Sequence, residues 1–262
     1  MKFFLHRIVI KKLDTLRFCT LVLLCALAFG MLRTQETAAP AQAERPDLRG
    51  LRVAVDPGHG GYDGGARARD SGVWEKELTL SIALEVEKEL TACGAHVILT
   101  RREDVCLSDG DTATKARKRA DLQRRLDIAD EQHADVFLSI HLNEYRDRSE
   151  SGPQVFYQKG ADKGRLLSGF LQQAMIDALH PSKIRKAMAG DYYVLRGKLP
   201  SALVECGFLS NSKEEKLLLS PDYHRKIAQA LSLGLADWLK AEKTCKSSTF
   251  MLSWILHQCA RK

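Results

Sequence analysis

Val53-Ala54-Val55-Asp56-Pro57-Gly58-His59-Gly60-Gly61 is an apolar run that meets a proline and opens into a glycine-rich turn around one histidine. The β-branched residues and the loose alternation from Leu51 to Asp56 predict a strand that Pro57 stops. Glycines permit the tight, positive-φ backbone of such a turn, so the His59 imidazole is expected at the strand's carboxyl end, where open α/β sheets place their ligands. By itself the turn fits two readings, a metal ligand and an ordinary turn histidine beside a phosphate-binding loop.

The rest of the chain supplies the fold around this turn. Leu78, Ile82, Val86 and Leu90 recur every four residues and predict a helix that starts near Trp74 or Glu75 and stops at Gly94. Glu75 and Glu77 fall in its first turn, where negative charge suits the helix dipole. Ala95 to Thr100 is a second strand, and 101–117 a polar loop. Leu122, Leu126, Ile128 and Ala129 predict a helix to about Gln132, with Arg117, Lys118, Arg119, Arg124 and Arg125 mostly outward. Asp135 to Ile140 reads as a buried parallel strand running into His141, Leu142 and Asn143. Val155 to Tyr157 is expected as an edge strand, 164–179 as a helix, and both Tyr192–Leu195 and Ala202–Val204 as strands, the latter running into Glu205. Ser212 with Glu215 has the form of a capping box, and Ser220-Pro221 opens a last helix to about Lys240. Strands alternating with helices predict one α/β domain over 51–240, a mostly parallel twisted sheet with helices on both faces.

The formal net charge of +7 is not spread through this domain. Residues 1–50 carry eight Lys/Arg against four Asp/Glu and residues 241–262 four against one, which leaves 28 of each sign between them. A neutral domain excludes nucleic acid as a partner. Lys2, Arg7, Lys11, Lys12 and Arg17 precede the fourteen uncharged residues Phe18 to Met31, the pattern of a secretory signal and shorter than a membrane span of about 20 residues. Ala26-Leu27-Ala28 and Ala41-Gln42-Ala43 offer cleavage sites; uncleaved, residues 1–31 are a signal anchor and the only membrane contact. Either way the domain is exported, and 32–50, built from small, polar and proline residues, is a linker. The seven cysteines show no metal-finger spacing and no disulfide framework. The tail 241–262, with its apolar Phe250 to Leu256, has no role that the sequence selects.

Three buried strands thus end near His59, His141 and Glu205, and the helix start brings Glu75 to the same sheet edge if the strands are parallel neighbours. Two imidazoles and one carboxylate with a position left open form a ligand set of catalytic zinc, the remaining carboxylate serving to take a proton from water. Each residue also has a plainer role: His141 a strand terminus, Glu75 a helix-start acid, Glu205 the partner of Arg101 or Arg196. A carboxylate after Ala202 to Val204 is nonetheless costly unless a cation receives it.

The strings VAVDPGHGGYDGGA, WEKELTL, ADVFLSIHLN and PSALVECGFLSN resemble, in order, four signature blocks of the zinc-dependent N-acetylmuramoyl-L-alanine amidases of the Amidase_3 type. The resemblance covers about 51–240. It implies one Zn2+ held by His59, Glu75 and His141, Glu205 as the catalytic base, Glu77 as a nearby acid, and peptidoglycan as substrate. Asn143, Arg101 and Arg196 flank the ligand strands and are expected as supporting or substrate contacts. The bare catalytic domain is similar to sporulation amidases that act in spore cortex. Two other classes compete: an exported, non-catalytic peptidoglycan-binding protein of this fold, and a nucleotide-binding enzyme. The second fails because DPGHGG has neither a GK[ST] ending nor GxGxxG spacing.

Overall fold

The structure is a computed structural model that describes Thr20 and residues 45–109 and 114–259, with side chains as far as Thr244. The signal or anchor segment, apart from Thr20, lies outside the described residues, as does the linker before Arg45. The linker's last residues are not linker at all: Leu48 is fully buried in the core and donates its N–H to the Cys93 carbonyl.

Six strands form one sheet: β1 (Arg52–Pro57), β2 (His96–Leu99), β3 (Val136–Asn143), β4 (Gln154–Gln158), β5 (Met188–Gly190) and β6 (Ser201–Phe208). Their order is β2-β1-β3-β6-β4-β5. The first four strands in that order are parallel, β4 runs antiparallel to β6, and β5 runs parallel to β4. The helices are α1 (Glu75–Ala92), α2 (Lys115–Glu131), α3 (Asp162–Leu179), α4 (Ser212–Leu218) and α5 (Pro221–Cys259). The expected α/β class with a mostly parallel sheet is what the chain adopts. Among the described residues no helix is long and apolar enough to cross a membrane.

Strand alternation divides the sheet into two unlike faces. Val53, Val55, Val136, Leu138, Ile140, Ala202 and Val204 point to one, where α1, α3 and α5 bury Ile82, Val86, Leu171, Met175, Ile227 and Leu231 against them. Ala54, Phe137 and Leu203 point to the other, under α2 and a short 3₁₀ turn at Tyr193–Leu195. Farther along the strands this second face turns polar, at Asp56, Ser139, His141 and Glu205.

Four local expectations are corrected. Tyr192–Leu195 is not a strand: Val194 and Leu195 are consecutive and both buried, which a 3₁₀ turn achieves and a strand would split between two faces. β4 is not an edge, because the three-residue β5, too short to read by pattern, pairs outside it. The cap of α4 is Asn211, whose side chain accepts from Lys213 and Glu214 N–H groups, while Glu215 turns away to accept from Asp70 and Ser71. The last helix runs past Lys240 to Cys259.

Candidate metal centre

Sheet order places the site. The chain crosses from β1 to β2 on one side and later returns to β3 on the other, so the connections diverge beyond the carboxyl ends of β1 and β3, the crevice where doubly wound sheets bind ligands. His59 follows β1, and His141 ends two residues short of the end of β3. The Gly58 N–H donates to Ile140 O at 2.9 Å, which draws the turn alongside β3. A Cβ at Gly58 would lie 2.4 Å from the His141 ring, so only glycine lets the two segments approach this closely.

The turn is held from several sides. His59 has φ 62°, a left-handed conformation a side chain rarely adopts. Arg125, buried in α2, donates from Nη2 to the His59 carbonyl at 2.6 Å, from Nη1 to both the Pro57 carbonyl and Asp56 Oδ1 at 2.8 Å, and from Nε to Asp121 at 2.8 Å. Burial alone would raise the Asp56 carboxyl; the Arg125 charge and the hydroxyls of Ser139 and Thr100 hold it below the usual range. Arg101, also buried, donates to the carbonyls of Pro57, Gly58, Glu103 and Lys76. Lys76 bridges Gly61 O and Asp104, and Asp104 accepts the Gly61 N–H.

Three side chains converge above this brace. His59 Nε2 and His141 Nδ1 each lie 3.1 Å from Glu75 Oε1, and the candidate donor atoms of the three residues all lie within 4.8 Å of one another. The backbone N–H groups of Leu142 and Ala66 orient the two Glu75 oxygens. Burial opposes ionisation of Glu75, but the facing imidazoles hold its carboxyl well below the usual range. On the far side of the His59 ring, Nδ1 is 3.1 Å from Asp63 Oδ2, with the carboxylate off the hydrogen-bonding direction. Burial resists a charge on His59, yet Asp63 and Glu75 together push it up to about 9. Two imidazoles and one carboxylate, packed this closely and reinforced by an outer carboxylate, fit a divalent ion of the zinc type.

Glu205 stands one strand away, in register with His141 across β3 and β6. Its Oε2 is buried and has no hydrogen-bond partner among the described residues. Burial first, and the Glu75 charge second, push its carboxyl up to about 8. The plainer partners are both otherwise engaged, Arg101 with backbone carbonyls and Arg196 with Asp191 at 2.7 Å. Arg196 is exposed and outside the cluster, whereas Asn143 lies two residues beyond His141 on the same strand face.

Three contributors escape a sequence reading. Arg125 was expected outward, but it sits three residues after Leu122 and four before Ala129, on the inward stripe, with 1% of its side chain exposed. Asp63 could be suspected only from lying four residues after His59 in the same turn. Tyr192 is half-buried against Phe156, ring centroids 5.2 Å apart, and burial and then the Glu205 charge raise its phenol.

Comparison with known proteins agrees with this architecture. The family model described as Amidase_3, N-acetylmuramoyl-L-alanine amidase, matches residues 53–237. The germination-specific N-acetylmuramoyl-L-alanine amidase of Bacillus subtilis (strain 168) is 35% identical over 190 residues, 72% of this chain and 79% of that protein. N-acetylmuramoyl-L-alanine amidase LytC of the same organism is 32% identical over 82% of this chain and 40% of its own length. The solved CwlD amidase from Clostridioides difficile, in complex with the GerS lipoprotein, has a TM-score of 0.70 at 34% identity and covers 73% of this chain and 99% of that one. With four signature blocks in order and their side chains gathered at one sheet edge, the chain belongs to the Amidase_3 family of N-acetylmuramoyl-L-alanine amidases.

Proposed function

We propose that this amidase uses one zinc ion, held by His59, Glu75 and His141, to hydrolyse the amide between the lactyl group of N-acetylmuramic acid and the L-alanine of the peptidoglycan stem. The observation that carries the reading is the convergence of these three donors beside a fourth, unpartnered carboxylate in register on the next strand. Imidazole donors favour zinc over the oxygen-seeking magnesium and calcium. When bound, zinc supplies Lewis acidity to the scissile carbonyl. Glu205 Oε2 takes the proton of the attacking water and passes it to the departing L-alanine nitrogen. Burial raises the Glu205 carboxyl toward neutral pH, which suits a group that must both take and give up a proton. Asp63 sets negative charge beside the His59 ring, Arg101 and Arg125 hold the turn beneath it, and Asn143 and Arg196 are left to meet substrate.

Peptidoglycan lies outside the cytoplasmic membrane, so the reading includes export by the basic and apolar N-terminal segment, cleaved or retained as an anchor. Similarity to a germination-specific amidase supports a role in spore cortex. The solved relative bound to a lipoprotein makes such a partner a candidate here as well.

The test is a digest of purified peptidoglycan with products read by mass. Intact stem peptides bearing a free L-alanine amine are expected. Glu205→Gln should lower their release by about 10²–10⁴-fold while one zinc per chain is retained. Glycan fragments, cut stems or undiminished cleavage by Glu205→Gln would overturn the assignment.

A further inference from the structure

One wall of the site carries a concentration of positive charge that the cleavage chemistry does not use. The first turns of α2 hold Lys115, Arg117, Lys118 and Arg119, and the helix has no acidic residue before Asp121. Cations at a helix N-terminus oppose the macrodipole. A domain with 28 charges of each sign could have placed acids there. Instead its acids gather elsewhere: α1 carries five glutamates against two lysines and packs on the opposite face of the sheet.

The cations are also arranged. Arg117 lies over the Tyr62 ring at 4.5 Å, and Lys118 reaches Asp63 at 3.1 Å, both partners belonging to the His59 turn. Arg119 and Arg196 lie over the Tyr193 ring at 5.5 and 5.7 Å. The Tyr193 hydroxyl donates to Gln123 of α2 at 2.8 Å, which ties this second ring to the same helix. The row therefore runs along α2 from the His59 turn to the 3₁₀ turn at Tyr193–Leu195. Stacking on a ring fixes the plane of a guanidinium while leaving its edge N–H groups for a planar anion. Among the described residues Arg117 and Arg119 have no carboxylate partner of their own.

We propose that this row binds carboxylates of the peptide stem, so that the enzyme selects stems with free acids over amidated ones. The inference rests on the amidase reading, because it names the substrate feature recognised beside that site. Guanidinium edges and carboxylates pair bidentately, and the row borders the His59 turn at Tyr62 and Asp63.

The test uses the full chain carrying Glu205→Gln, so that ligand is bound without turnover, and a dye-labelled muropeptide with free stem carboxylates beside its fully amidated twin. The acidic ligand should bind about tenfold tighter, as one or two charge-assisted pairs provide, and the preference should shrink as salt rises. Arg117→Gln with Arg119→Gln should remove most of the preference, and either single substitution part of it if the double variant is unstable. Lys163→Gln, on α3 across the sheet, is the charge-matched control and should leave it intact. Equal affinity for the two ligands, or a preference that survives both single substitutions, would overturn the proposal. Stem release by the unsubstituted chain separates the two ideas. Cleavage without preference defeats the row alone, and preference without cleavage defeats the amidase reading while the row stands as a peptide-carboxylate site.

Discussion

The two faces of the sheet are built from the same strands yet follow different rules. Under α1, α3 and α5 every inward residue of β1, β3 and β6 is aliphatic or small, and the task is to fill space. Under α2 the same strands carry Ala54, Phe137 and Leu203 and then Asp56, Ser139, His141 and Glu205, so packing gives way to polar contacts within one strand length. The first face tolerates changes of shape within limits of volume. On the second, a single buried arginine links a core carboxylate to the backbone of the metal turn. Stability and site geometry are separate matters on one face and the same matter on the other.

Arg125→Met tests that coupling most severely. It leaves Asp56, Asp121 and the His59 carbonyl without their cation, and should cost about 3–5 kcal/mol. Zinc affinity should fall together with the denaturant midpoint. An Arg125→Met protein that loses stability but binds zinc normally would break the contrast between the faces. On the other face, Leu231→Ala should cost about 2–5 kcal/mol through a cavity, with zinc affinity and kcat/KM measured at 25 °C unchanged. Glu205→Gln addresses the charge buried at the border. Because Glu205 is pushed from 4.5 up to about 8, the folded, metal-free protein holds that proton more tightly than the unfolded chain. Its contribution is therefore complete below the unfolded value and is lost as pH rises from 4.5 toward 8, a decline on the order of 5 kcal/mol. Denaturant melts of the metal-free protein should show this slope, and Glu205→Gln should flatten it. Asp63→Asn should have the smallest effect, weakening zinc by about 10–100-fold and lowering the metal-free melting temperature by less than Leu231→Ala does, through the lost pairing with His59 and Lys118. A larger drop in that temperature, with zinc affinity unchanged, would make Asp63 a structural residue.

What could be read in advance follows the same division. β1, β3 and β6 are buried on both sides, so their strands appear as near-continuous apolar runs, and α1 shows its four-residue spacing plainly. His59, His141 and Glu205 each follow such a run and Glu75 opens α1, so the approach of His59, Glu75 and His141 to one sheet edge could be expected. Arg125 was not, since a charged residue on a helix stripe reads as solvent-facing unless its buried partners are known, and Asp56 and Asp121 lie 69 and 4 residues away. β5 is too short for any period, and the Tyr192–Leu195 run has strand composition but turn geometry.

The switch point between β1 and β3 also sets when the metal can act during biogenesis. Glu75 and His141 meet across 66 residues of chain, and an unfolded polypeptide offers no comparable cluster. A divalent ion held by this cluster would therefore favour the native state, each tenfold rise in its free concentration above the dissociation constant deepening that state by up to about 1.4 kcal/mol. The supply of that ion where the chain folds would thus bear on the persistence of the fold and not on the site alone.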